Sequence, residues 1–485
     1  MITLAILCGS VHAADQAVLD IGDRLEPFVD KHLIESTDNV THLLHHPVPR
    51  EIALTFDKPW EGRYCGYVTV IKDGDGYRIY YRGLPTAGKD GSNTEVTCVA
   101  ESTDGISYSR PSLGLFEAEG NKNNNIVMAG SAPFSHNFAP FLDTRPGCPA
   151  DERYKAIGGT SEVGLHGFIS ADGYHWTKLD GPLIEHEGEA FSFDSQNNAF
   201  WSESEQTYVC YFRTWRKRSA NGSVNGYRWI SRRTSPDFRQ WGPMEDMSYG
   251  DTQPEHLYTN QTVPYARAPH IYVAFAARFM PGRRVVSATQ AEAIGGEAKY
   301  SGDCSDTVFM SSRGGSLYDR TFMEGFIRPG VGLNNWTSRT NYPTRGIVQS
   351  SDAVMSMYVQ RNYGQTTHKL QRLTLRTDGF ASMNAGYEGG EFVTKPFVFR
   401  GNRLTLNFST SAAGSVWVEL QTAEGKAIKG FKLDECDEII GDEIARTVTW
   451  SGSSNLASLV GKPVKVRFKM KDADVYSIQF REGSR

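Results

Sequence analysis

Five short stretches of this chain collect the residue types that move protons and hold polar ligands. The first is Asp57-Lys58-Pro59-Trp60-Glu61 with Arg63 and Tyr64, and the second is Ser135-His136-Asn137. The third runs from Phe193 through Asp194, Ser195 and Gln196 to Asn197, and the fourth from Glu255 through Tyr258 to Asn260. The fifth holds Trp336, Arg339, Asn341, Tyr342 and Arg345. Carboxylates, a histidine, aromatics, amides and arginines together suit a polyhydroxylated ligand, whose C–H faces stack on rings while polar groups take its hydroxyls. Cleaving a glycosidic bond needs an acid on one side and a base or nucleophile on the other. The expected catalytic set is therefore Asp194, Glu61, Glu255 and His136. Tyr64, Asn137, Gln196, Arg213, Tyr258, Asn260 and Arg339 are expected to bind substrate.

Each of these residues also has a plainer role open to it. Asp194 can cap a turn, Glu61 can sit in a solvated loop, and His136 can be a hydrogen-bonded structural histidine. Asp306 is a reserve acid beside Glu255. Arg213, Trp215, Arg216, Lys217 and Arg218 form a basic, aromatic run that is either a solvated loop or a grip for sulfate or uronate groups. Arg278, Arg283, Arg284, Arg339 and Arg345 extend that expectation to an anionic or sulfated glycan.

The elements that position these stretches repeat. Glu101–Tyr108, Ile169–Trp176, Arg233–Trp241, Met310–Tyr318 and Leu375–Phe380 each join the end of an extended run to a tight turn. Asp-Gly and Gly-Gly mark such turns because glycine supplies the positive φ they require. Before each turn lies a strand, a break and a second, aromatic-rich strand, as in Gly66–Asp73 and Gly76–Tyr81. Five such β units without a long amphipathic helix predict an all-β protein built on a five-bladed β-propeller over 20–387. Residues near 20–56, including Phe28–Ile34, are expected to give the strand that closes the last blade. Inner strands of a propeller start at one end of its axis, so the residues just before them converge on a central pocket. Asp104, Asp172 and Asp378 fall in the turns and are assigned to structure. After Tyr387 the pattern changes, and alternating runs such as Val416–Leu420 and Val464–Phe468 predict a C-terminal antiparallel β-sandwich over 391–485.

The repeats, the Ser-x-Asp-Gly hairpins at Ser102 and Ser170 and the appended sandwich resemble the five-bladed propeller glycoside hydrolases. That group includes invertases and levanases, arabinanases and β-xylosidases, and anhydrogalactosidases. The resemblance implies a glycoside hydrolase with acidic residues at the starts of the inner strands of blades one, two and three. Those positions correspond to Glu61 or Asp57 in blade one and Asp194 in blade three. Blade two departs from the pattern, since Ser135-His136-Asn137 has no carboxylate, and the similarity to the anhydrogalactosidase branch implies His136 as the proton donor there. An exo-acting enzyme releasing terminal sugars fits a pocket on a propeller axis. A non-catalytic carbohydrate-binding propeller and a sialidase-like enzyme are the competing expectations.

Composition narrows the partners. Lys and Arg number 51 against 56 Asp and Glu, a net charge of −5 that offers no field for nucleic acid. No apolar run is long enough to span a bilayer. Residues 1–13 read as a signal peptide with cleavage after Ala13, although a basic n-region is missing, so a secreted or periplasmic protein is expected. Seven cysteines stand outside metal-ligand spacing, and the six after Cys8 leave disulfides open. No cofactor is expected, an axial structural ion such as calcium stays open, and so does the oligomeric state.

Overall fold

A computed structural model describes residues 18–85, 91–187, 192–216 and 226–483. The chain divides into two compact units, one spanning 44–377 and the other combining the residues before 44 with 378–485. The expected signal segment 1–13 lies outside the described residues.

The 44–377 unit is a five-bladed propeller. Blades one, two and three are four-stranded meanders that start on Gly66–Asp73, Ala139–Leu142 and Asn198–Ser202. Blade four has a fifth short strand, Val263–Tyr265, against its long strand Ala268–Pro281. Blade five takes Val348–Gln349, Val354–Arg361 and Lys369–Arg376 from late in the unit, and its outer strand, Val48–Thr55, from the beginning. This pairing of Lys369 with Thr55 and Leu370 with Leu54 closes the ring. Residues 19–43, the expected Phe28–Ile34 among them, do not share that task and belong to the second unit, where their strands pair.

The recurring Ser-x-Asp-Gly turn is a hydrogen-bonded device. In blade one the Ser102 hydroxyl accepts from the Gly105 amide at 2.9 Å, and Asp104 accepts from the Ile106 and Ser107 amides. Gly105 sits at φ +67°, which an L side chain rarely adopts. Ser170, Asp172 and Gly173 repeat the pattern in blade two.

Neighbouring blades are joined by tyrosines on their second strands. The Tyr80 hydroxyl donates to the Gly173 carbonyl of blade two at 3.1 Å, and Tyr208 of blade three donates to Asp143 of blade two at 2.5 Å. Tyr272 of blade four reaches Glu205 of blade three at 2.7 Å, and Tyr358 of blade five meets Tyr108 of blade one at 2.9 Å. All four rings are fully buried. Each supplies a large apolar surface and satisfies its one polar atom across the seam, so packing and hydrogen bonding reinforce one geometry. Asp143 also pairs with the buried Lys155 ammonium at 2.7 Å.

The other unit is a ten-stranded ladder organised by two long strands, Arg403–Thr422 and Val464–Arg481. Their register breaks between Thr410 and Ser415, and Asp472 opposite adopts a left-handed φ of 42°. The two halves enclose one apolar core holding Phe392, Phe468, Phe480 and Trp450. A Cβ on Gly414 at the bend would lie 2.3 Å from the Asp472 carbonyl oxygen, so glycine is required there. Leu19–Gly22, Leu25–Pro27 and Ile34–Asp38 are strands of this ladder. The expected boundaries of 20–387 and 391–485 therefore differ from the observed division, and Asp378 is a buried acceptor for Asn407 and Ser477 in this unit. All six described cysteines are free thiols.

Removing the Lys155 charge alone strands a buried carboxylate, which costs about 3–5 kcal/mol. Lys155→Met should lower unfolding free energy by that order in urea titration, and adding Asp143→Asn should recover part of the loss. A single variant as stable as the parent would contradict the pair's burial.

Candidate active site

The residues at and before the starts of the inner strands lie around the axis, and several of them hold strained backbones. Tyr67, Phe193, Gln261, Arg339 and Asn341 all have φ between 49° and 66°. Positive φ at residues this bulky costs energy and collects where a side chain must be aimed. Phe193 shows what is aimed. The Ser195 amide donates to the Phe193 carbonyl at 2.6 Å, forming a three-residue turn with Asp194 at its tip. The Asn137 and Asn197 amides both donate to the Phe193 and Ser195 carbonyls, holding that turn from two sides.

Asp194 lies in a string of alternating charge. One carboxylate oxygen accepts from Arg213 at 2.7 Å, and the other meets His136 Nε2 at 3.3 Å. His136 Nδ1 lies 2.9 Å from Glu95 and 3.0 Å from Arg82. Glu95, His136 and Arg213 are buried, whereas the Asp194 side chain keeps 28% of its exposure. Burial would raise the Asp194 pKa, but Arg213 and the His136 hydrogen bond outweigh it and hold the carboxyl far below its ordinary value. Burial likewise opposes a charged His136, yet Asp194 and Glu95 raise its pKa above the usual imidazole value. Asp194 is thus a fixed anion with one accessible edge.

The pocket beside this string is lined by Tyr67, Arg82, Tyr258, Arg339, Tyr342 and Tyr363. Tyr258 and Tyr342 pack at 5.1 Å between centroids. Burial keeps the Tyr67 and Tyr342 phenols protonated, and the Tyr342 hydroxyl is buried without a hydrogen-bond partner among the described residues. Further along the blade-one inner strand the axis is filled. Arg345 crosses to the Pro140 and Ala199 carbonyls at 2.9 and 2.8 Å, and Gln196 bridges Thr69 and Gln261. The pocket is therefore blind.

A second carboxylate stands in this region, and residue type and spacing did not single it out. Asp303 opens the second long strand of blade four, Asp303–Ser312. Burial raises its pKa above the ordinary carboxylate value, against the lowering effects of Ser338, Arg339 and Arg228. One of its oxygens is buried without a partner. The cue available in the sequence was its position opposite Pro281, a strand away from Tyr258, where the expected reserve acid was its neighbour Asp306.

The structure brings Asp194, His136, Arg213, Tyr258 and Arg339 together and sends other expected residues elsewhere. Glu61 is buried in a bidentate pair with Arg110 at 2.6 and 2.8 Å and also accepts from Tyr81, which leaves it no free edge. Glu255 joins Arg278 and Arg320, and Asp306 shares Arg278. These acids balance arginines and do not line the pocket beside Asp194, while Glu255 and Asp306 line a separate cavity with Arg278 and Trp336. Tyr64 packs behind it against Tyr300 and Tyr363. Asn137, Gln196 and Asn260 spend their amides on the framework, Asn260 accepting from the Thr262 backbone. Arg345 is committed to the plug rather than to an anion. Lys217 and Arg218 lie outside the described residues. Among the described residues, no group of three or more His, Cys, Asp and Glu side chains is arranged to hold a metal ion.

No family model matches the sequence, and no curated protein matches it. Solved structures resemble it at low identity. One described as a glycoside hydrolase superposes with a TM-score of 0.46 and 13% identity, covering 68% of this chain and 92% of its own. An N-acetylgalactosamine deacetylase from F. plautii in complex with blood group B trisaccharide gives 0.42 and 12%, covering 70% and 96%. The catalytic domain of a Coprinopsis cinerea GH62 α-L-arabinofuranosidase gives 0.40 and 11%, covering 69% and 98%.

His136 carries a raised pKa, so its contribution to stability is complete below the ordinary imidazole value near 6.5 and is lost as pH rises through the raised one. His136→Gln should therefore lose more stability at pH 6 than at pH 9, read as the difference in melting temperature from the parent. An equal loss at both pH values would mean that His136 is held uncharged. Glu61→Gln should lower stability while leaving specific activity of the folded protein within about twofold, because its carboxylate is committed to Arg110.

Proposed function

We propose that the chain is a glycoside hydrolase that removes terminal sugars at the propeller axis. The observation that carries this reading is the pair of carboxylates whose surroundings push their pKa values apart. Such a division marks one group as the anion and the other as the acid. Asp194, held ionised by Arg213 and His136, is the base or nucleophile. Asp303, whose pKa burial raises, is the acid.

In the proposed step Asp303 donates its proton to the glycosidic oxygen as the bond from that oxygen to the anomeric carbon breaks. Asp194 either takes a proton from the water that attacks this carbon or attacks it first and is then displaced by water. Water supplies the hydroxyl of the released sugar and the proton that restores Asp303. Glu95, His136, Arg82 and the Asn137–Asn197 frame are positioning residues, since they act through Asp194. Tyr67, Tyr258 and Tyr342 present ring faces and hydroxyls to the sugar. The filled axis below them favours chain ends over mid-chain cleavage. The apolar segment at 1–13 supports export, and no described helix is long and apolar enough to cross a membrane.

Asp194→Asn and Asp303→Asn should each lower kcat/KM on a hydrolysed glycan by about 10²–10⁴-fold. Activity should fall as pH rises through the elevated pKa of Asp303, and Asp303→Glu should displace that limb. A raised carboxyl pKa makes the folded state less stable above the ordinary value near 3.8, so Asp303→Asn should melt higher than the parent at pH 7. Full turnover in both asparagine variants would overturn the assignment. Glycan binding without product from the parent would make the pocket a recognition site instead.

A further inference from the structure

We infer that the axial pocket recognises a sugar bearing an anionic group, a carboxylate or a sulfate, held between Arg228 and Arg339. The inference rests on the reading of the pocket as a glycan site and adds the charge of the ligand.

Most arginines of the propeller are matched by acids or carbonyls. Arg213 is on Asp194, Arg278 on Glu255 and Asp306, Arg232 on Glu205, and Arg345 on two carbonyls. Arg228 and Arg339 are different. Neither guanidinium makes a hydrogen bond or a salt bridge with any described residue. Arg339 lines the pocket directly. Both lie over the Tyr258 ring, at 5.1 and 6.0 Å from its centroid. Arg228 is also stacked on Trp215 at 4.8 Å and Phe279 at 4.5 Å, and Arg339 on Tyr300 at 5.8 Å. Aromatic faces hold a guanidinium in place without using its N–H donors.

The buried atom of Arg228 is Nε, which has no acceptor. A buried donor left unmatched costs about 1–3 kcal/mol, more when charged, and an arriving oxyanion removes that cost. Burial and the neighbouring Arg213 both act against the Arg228 charge. The nearby acids leave these donors unmatched, since Asp194 is taken by Arg213 and His136 and Asp303 makes no ion pair with either guanidinium. Planar guanidinium forks on a rigid aromatic floor suit a carboxylate or sulfate, which accept two parallel N–H bonds. Neutral hydroxyls would leave the positive charge uncompensated.

Titration calorimetry on the full chain tests this with three probes of common ring size: glucuronate, glucose 6-sulfate and glucose. At least one anionic probe should bind about tenfold or more tightly than glucose, and Arg228→Gln and Arg339→Gln should each remove most of that preference while melting cooperatively. Preference for glucuronate identifies the carboxylate and preference for glucose 6-sulfate the sulfate. Asp303→Asn should retain the preference, so a folded variant with intact anion binding but no turnover supports the inference independently of catalysis. Anion binding by a parent that hydrolyses nothing would leave it standing and sink the hydrolase reading. Equal affinity for glucose and both anions, or an unchanged preference in both arginine variants, would overturn it. So would salt-insensitive binding of the anions, because a charge-paired ligand weakens as ionic strength rises.

Discussion

Everything at the axis depends on closure of the ring. A sheet of four strands cannot bury both faces alone, and here each is buried only because another blade lies on either side. The closing contact is between Val48–Thr55 and Lys369–Arg376, segments separated by almost the whole propeller in sequence. Once they pair, the five inner strands must start around a common axis. Asp194 from blade three, His136 from blade two, Glu95 and Arg82 from blade one and Arg339 from blade five then become neighbours. The tyrosines across the seams fix how far each blade turns, because a hydroxyl that misses its acceptor is a buried polar atom without a partner.

Within that frame the chemistry comes from unequal surroundings. Asp194 and Asp303 are the same residue type, close to the same pocket, and differ in what the fold places beside them. Arg213 and His136 make negative charge favourable on one, and burial makes it unfavourable on the other. The guanidinium groups of Arg228 and Arg339 lie over Tyr258 in the same setting, held by ring faces rather than by an ion pair.

Much of the architecture was legible because turns and alternation are local properties. Asp104-Gly105 and Asp172-Gly173 announce their hairpins, and the residues before each inner strand converge once five repeats are counted. What stayed hidden was pairing. Glu61 and Asp194 both precede inner strands of this propeller, yet Arg110 captures the first completely and Arg213 leaves the second an open edge. No spacing rule distinguishes them, since the partner of each arrives from another strand. Asp303 had no cue in residue type or spacing to separate it from its neighbour Asp306; burial, which spacing does not report, sets it apart. The amides of Asn137, Gln196 and Asn260 read as ligand contacts by type and prove to be framework. Asn137 and Gln196 donate to Phe193 and Thr69, partners that the closed ring brings near, and Asn260 accepts from the Thr262 amide. The strands at 19–44 fell on the wrong side of the division because strand pattern alone does not name a partner.

Those strands have a consequence for how the molecule comes to be. The smaller unit is assembled from both sides of the propeller, with Glu35 paired to Lys465 across 430 positions of chain. In the order of synthesis its opening strands emerge first and wait, unpaired, while the propeller is made. Only when the segment after Asp378 is finished do they find their ladder. The propeller is in effect a long insertion in a smaller fold, and a cut that frees its carboxyl end strands the leading residues beside it. A clean division of the molecule would have to remove both flanks together.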